Sequence, residues 1–137
     1  MTVDDAKREL KYIKDIEKDI KSVELEIERL MAIATKMTPS YDGVSSSGGH
    51  KDKIADTLAR VEDFRSRLTN LMNESLDAKN KCIGKLENVE SNTLRSILRY
   101  YFFMDFTLEK TAEMIDRSYK WTYVMYQSAI EEYAEKN

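Results

Sequence analysis

Thr107-Leu108-Glu109-Lys110-Thr111-Ala112-Glu113-Met114-Ile115-Asp116-Arg117-Ser118 is the stretch that decides how this chain folds. Thr107 and Ser118 are hydroxyl residues of the kind that cap helix N-termini. From Thr107 the spacing predicts a short helix with Leu108, Thr111, Ala112 and Ile115 inward. Asp116 and Arg117 make a turn. Ser118 then opens a longer helix with Thr122, Met125, Tyr126, Ala129 and Tyr133 on one face. Upstream, Ser91 and Asn92 are cap-type residues. Leu94, Ile97, Leu98 and Tyr101 follow at i, i+3, i+4, i+7 spacing, and Phe102–Phe106 reads as an aromatic turn. Three helices in about 45 residues, two of them joined by a tight turn, is the helix-turn-helix layout.

The preceding sequence has a different texture. Residues 3 to 37 repeat apolar side chains at Val3, Ala6, Leu10, Ile13, Ile16, Ile20, Val23, Ile27, Leu30, Ala34 and Met37. The steps mostly alternate between 3 and 4, close to a heptad, with a 3-3 step around Ile13–Ile16. One long amphipathic helix results. Residues 38–50 hold the only Pro, three of the four Gly and the only His, which predicts a flexible loop. Residues 51–90 resume the helical pattern at Ile54, Leu58, Val61, Leu68, Met72, Cys82, Leu86 and Val89. Arg65, Ser75 and Lys79 occupy intervening seam positions; Phe64, Leu71, Leu76 and Ile83 widen the stripe. The expected fold is all-α: a long antiparallel, coiled-coil-like helical hairpin over 1–90, then a small three-helix helix-turn-helix over 91–137. Two helices alone make a thin core, so self-association is expected, as a homodimer or higher homo-oligomer.

Composition agrees. Gly and Pro together number five in 137 residues, and charged residues are 34%. Ten of the 13 aromatics lie between Tyr100 and Tyr133. No apolar run is long enough for a membrane span. The charged N-terminus lacks a signal core, and a single cysteine, Cys82, fits a reducing cytoplasm. No Walker loop, dinucleotide fingerprint, HExxH or GxSxG stretch occurs. Carboxylates are interspersed with Lys along helices, the pattern of a solvated face. His50 falls in the loop, Ser45–Ser47 are loop composition, and Cys82 reads as a small buried hydrophobe. No enzyme and no cofactor are expected.

Residues 107–118 resemble the start of a sigma-factor region 4 helix-turn-helix. Ala112 matches a small residue that allows close helix approach, Ile115 the core residue before the turn, and Met125, Ala129 and Ile130 later core positions. Thr111 and Thr122 stand where that type prefers aliphatic residues, Asp116 where it usually has Gly, and Arg117 where it has a small or apolar residue. The order of long helix, Ser/Gly-rich loop, second long helix, Leu98-Arg99-Tyr100-Tyr101-Phe102 and helix-turn-helix resembles a family of small phage and prophage proteins of Gram-positive bacteria. That family is allied to RinA/ArpU-type late-transcription regulators. The resemblance implies double-stranded DNA as partner, control of phage gene expression, and a cytoplasmic location in a bacterial host cell. The third helix would then read a major groove through Tyr119, Lys120, Tyr123, Val124 and Gln127. Thr107, Ser118, Arg117, Arg95 and Arg99 are candidate backbone contacts.

Charge sets a constraint. Residues 92–137 hold 6 Lys/Arg against 7 Asp/Glu, a net charge of −1. Phosphate neutralisation supplies most non-specific affinity, so pairing of chains, with two recognition helices on two half-sites, is expected to help. The acidic surface alternatively meets RNA polymerase. Two other functions compete: a non-enzymatic interaction protein with a protein-docking helix-turn-helix, and a small DNA-packaging (terminase) subunit.

Overall fold

The computed structural model describes residues 1–36 and 48–137. Among them there is no strand, and no helix is long and apolar enough to cross a membrane. The elements are α1 (Val3–Lys36), α2 (Gly48–Glu87), α3 (Asn92–Leu98), a π-helical turn (Arg99–Phe103), α4 (Leu108–Ile115) and α5 (Tyr119–Lys136). Most of the expected loop, 38–47, lies outside the described residues. Residues 48–50, read as its end, belong to α2 instead. A first helical turn needs no internal N–H partner, so the backbone freedom of Gly48 and Gly49 is no obstacle there.

The chain forms two compact units, residues 1–18 with 73–137, and residues 19–72. The first has one apolar core: Ala6 and Leu10 of α1, Leu86 at the end of α2, Val89, Leu98 of α3, Phe102 of the π-turn, and Ala129, Ile130, Tyr133 and Ala134 of α5. In this unit Glu9 meets Cys82 and Lys85, whereas Glu17 meets Ser75 and Lys79. A later residue of α1 pairs with an earlier one of α2, so these two segments run antiparallel. The polar seam positions Ser75 and Lys79 therefore find their partner within the chain. Their bonds to Glu17, at 2.5 and 2.8 Å, fix the register.

In the second unit Ile20, Val23, Leu30 and Ala34 of α1 and Val61 of α2 are buried. On α2 the inward line is displaced from the expected one: Thr57 is buried while Leu58 and Met72 are exposed. The α2 apolar stripe is wider than the strip its surroundings cover. Packing selects the edge that includes Thr57, whose hydroxyl donates back to Lys53 O at 2.8 Å.

The C-terminal elements start at their caps. Ser91 accepts from Leu94 N–H at 3.3 Å, Thr107 from Lys110 N–H at 3.1 Å and Ser118 from Trp121 N–H at 3.1 Å. The aromatic turn differs from expectation. It begins at Arg99, directly continuing α3, and Met104 N–H reaches back five residues to Arg99 O at 3.0 Å. Two strong tertiary demands act there. Phe102 enters the core while Tyr101 and Phe102 both pack on Tyr126, with ring centroids 4.8 and 5.9 Å away. The wider turn meets both demands, as π-turns do where a helix must be re-aimed.

Candidate nucleic-acid interface

Helix α4 ends in a cap built by backbone geometry. Asp116 adopts the left-handed region with φ 55°. Arg117 N–H then returns to Ala112 O at 3.0 Å and Asp116 N–H to Glu113 O at 3.2 Å. This is the double bond pattern of a Schellman cap, filled here by Asp instead of the usual Gly. It leaves only Arg117 before Ser118 caps α5, so the two helices meet at a tight corner.

The two threonines at expected aliphatic positions are fully buried. Each returns its hydroxyl to the carbonyl four residues back: Thr111 to Thr107 O and Thr122 to Ser118 O, both at 2.8 Å. The hydroxyls are thereby satisfied inside the helices and only the methyls need packing.

Helix α5 has two opposed faces. Thr122, Ala129, Ile130 and Tyr133 are buried. Tyr119, Lys120, Tyr123, Val124 and Gln127 are exposed, and the three large ones retain 49%, 45% and 48% of their surface (Tyr119, Tyr123, Val124). Gln127 Nε2 donates to the Tyr123 hydroxyl at 3.3 Å, which aligns the two side chains. Lys120 makes no ion pair among the described residues, so its ammonium is available to a ligand. The Arg117 guanidinium lies over the Trp121 ring, 5.1 Å from its centroid. That contact orients Arg117 at the corner and gives Trp121 its half-buried place.

The remaining sequence-derived candidates divide. Thr107 and Ser118 are exposed; each uses its oxygen as a cap and keeps an O–H to donate. Arg99 is exposed on the π-turn and makes no ion pair among the described residues. Arg95 is engaged internally: its guanidinium donates to Val89 O at 2.5 Å, to Glu90 O at 3.0 Å and to Asn92 Oδ1. It fastens the segment between α2 and α3 to the first turn of α3. Arg117 lies on a recess of about 270 Å³ with Asn92, Thr93, Ser96 and Tyr100.

A second recess, about 350 Å³, brings Thr107 and Tyr119 together with Lys14 and Lys18 of α1. Neither lysine is singled out by the sequence. Lys14 Nζ donates to Tyr101 O at 2.7 Å and Phe106 O at 2.9 Å, and pairs with Asp105 Oδ1 at 3.0 Å. It also sits 3.8 Å from the Tyr101 ring centroid. Asp105 is the second left-handed residue, φ 53°, and with Lys14 it locks the exit of the π-turn. The available signal was the 3-3 step of α1 at Ile13–Ile16, beside which Lys14 turns inward. Asp105 thus counts little toward the acidity of 92–137. Glu131, Glu132 and Glu135 lie at the opposite end of α5 from Tyr119 and Lys120.

Away from this face, Cys82 Sγ donates to Glu9 at 3.4 Å, and burial pushes its thiol up to about 11. A thiol so seldom ionised is a poor nucleophile. Burial, followed by the neighbouring Tyr101, raises the Tyr126 hydroxyl to about 12. No protein-family profile, curated protein or solved structure matches the chain.

Proposed function

We propose that this chain is a DNA-binding transcription regulator of the phage type. In this reading α1 and α2 form a hairpin that pairs chains, and α4 and α5 form a helix-turn-helix. The observation that carries it is the two-faced α5. An exposed row of Tyr119, Lys120, Tyr123, Val124 and Gln127 sits directly after a tight capped corner, with the opposite face locked in the core. Those side-chain types suit a major groove: Lys for guanine or phosphate, Gln for adenine, Tyr for thymine methyls or phosphate. Arg117, Arg99, Thr107 and Ser118 would hold the backbone, with Arg95 acting as a structural fastener.

A phage-promoter library screened by fluorescence polarisation at low salt tests this. The expected outcome is sequence-selective, salt-sensitive binding that weakens roughly tenfold or more in Lys120→Ala, as loss of a base contact would. Absence of any sequence preference at micromolar protein overturns it. The net charge of −1 over 92–137 favours a second reading, in which the same corner docks on a protein such as RNA polymerase. A shift of DNA with a steep salt slope decides against that reading.

A further inference from the structure

We propose that Lys18, on α1, is a phosphate contact of the same interface, so that the N-terminal helix supplies part of its positive charge. This rests on the DNA-binding reading above and extends it to a residue outside the C-terminal elements. The recess of about 350 Å³ places Lys18 beside Thr107 and Tyr119, both members of the proposed DNA face.

Two ammonium groups serve one carboxylate there. Asp105 is held by Lys14 at 3.0 Å, and those side chains are only 9% and 10% exposed. Lys18 stands off at 3.7 Å and is 56% exposed. The inner pair is therefore neutral without Lys18. The outer pair is long and wet, of a type that contributes little. Lys18 can thus turn its flexible ammonium toward a phosphodiester oxygen while Asp105 stays neutralised. The exposed carboxylate of Glu109 lines the same recess and opposes an anion. Two substitutions in one recess must then act in opposite directions.

The probe is a labelled 30-base-pair duplex of mixed sequence, titrated by polarisation at several salt concentrations against the full chain. Lys18→Gln is expected to weaken binding about tenfold at low salt and to reduce the logarithmic salt slope by about one. Glu109→Gln is expected to tighten binding, and Lys18→Arg to keep the wild-type slope. If Lys120→Ala weakens binding while Lys18→Gln leaves affinity and slope unchanged, Lys18 is no contact, although the DNA-binding reading survives. Failure of Lys18→Arg to keep the slope also overturns the proposal. If the unsubstituted chain binds only a sequence selected from the promoter library, the same variants are titrated on that duplex; if it binds neither at low salt, both readings fall together.

Discussion

The Glu9 carboxylate accepts from three side chains that begin far apart in sequence. Lys85 Nζ lies 2.8 and 3.0 Å from its two oxygens, Cys82 Sγ lies 3.4 Å away, and the Tyr133 hydroxyl completes the set. Burial works to raise the Glu9 acid, but the bonds from Lys85, Tyr133 and Cys82 outweigh it and hold the group below the ordinary 4.5. A carboxyl lowered by folding adds stability above its unfolded value, and that contribution disappears as pH falls through the folded value. Glu9→Gln should therefore cost about 2 kcal/mol at pH 7. Its difference from wild type should shrink steadily below pH 4.5, as read by urea unfolding at stepped pH. Lys14→Met is expected to cost more, about 3 kcal/mol, because it leaves Asp105 and two carbonyls without their inner cation. Adding Asp105→Asn should recover part of that loss, since Asn tolerates the left-handed backbone. Neither cluster was legible in the sequence. Lys14 and Glu9 look like any other charged residue of a solvated stripe, and only packing with Tyr101, Phe106 and Tyr133 distinguishes them.

At the scale of elements, what could be read was local. Ser91, Thr107 and Ser118 each act on an N–H three residues ahead, so their caps follow from a few adjacent letters. The faces of α5 follow from a period of 3.6. The π-turn was not legible, because its width is set by where Tyr126 and the core lie. The left-handed Asp105 was hidden for the same reason: the lysine that holds it is on α1. Asp116 is the instructive intermediate case. A turn at Asp116 follows from the adjacent residues, but an L residue at φ 55° carries strain that Gly would not. Asp116→Gly should relieve it, partly offset by the greater unfolded-chain freedom of Gly. The net expectation is a gain of about 0.5 kcal/mol in thermal unfolding. Asp116→Val should lose about 1 kcal/mol or more, since a β-branched side chain fits the left-handed region poorly. A Gly variant that melts below wild type would show that the Asp side chain itself holds the corner.

For the molecule as a whole, the break in composition near residue 90 is a change in side-chain type, and the core runs across it. Ala6 and Leu10 touch the same cluster as Phe102 and Tyr133 because the aromatic C-terminal elements need an apolar wall that the long helices provide. What the core leaves uncovered is informative in turn. Leu76 and Ile83 of α2, seven residues apart, are 56% and 44% exposed. Each follows by one residue a buried position, Ser75 and Cys82, so the pair forms a second apolar line along the helix flank. A lone exposed Leu needs no explanation, but a repeated line at heptad spacing is the pattern by which helices associate. A second copy of the chain covering this line would also supply the avidity that the proposed DNA face, in a segment of net charge −1, requires. The expected result in sedimentation equilibrium is a wild-type dimer. Leu76→Glu with Ile83→Glu should give a helical monomer whose DNA affinity falls at least tenfold, the usual scale of lost avidity. A wild-type monomer at about 100 µM, a concentration at which a biological dimer of micromolar affinity is saturated, would remove pairing from the proposal. A ring of about eight chains would instead favour the packaging subunit, because a closed ring uses a head-to-tail interface that a two-fold pair does not.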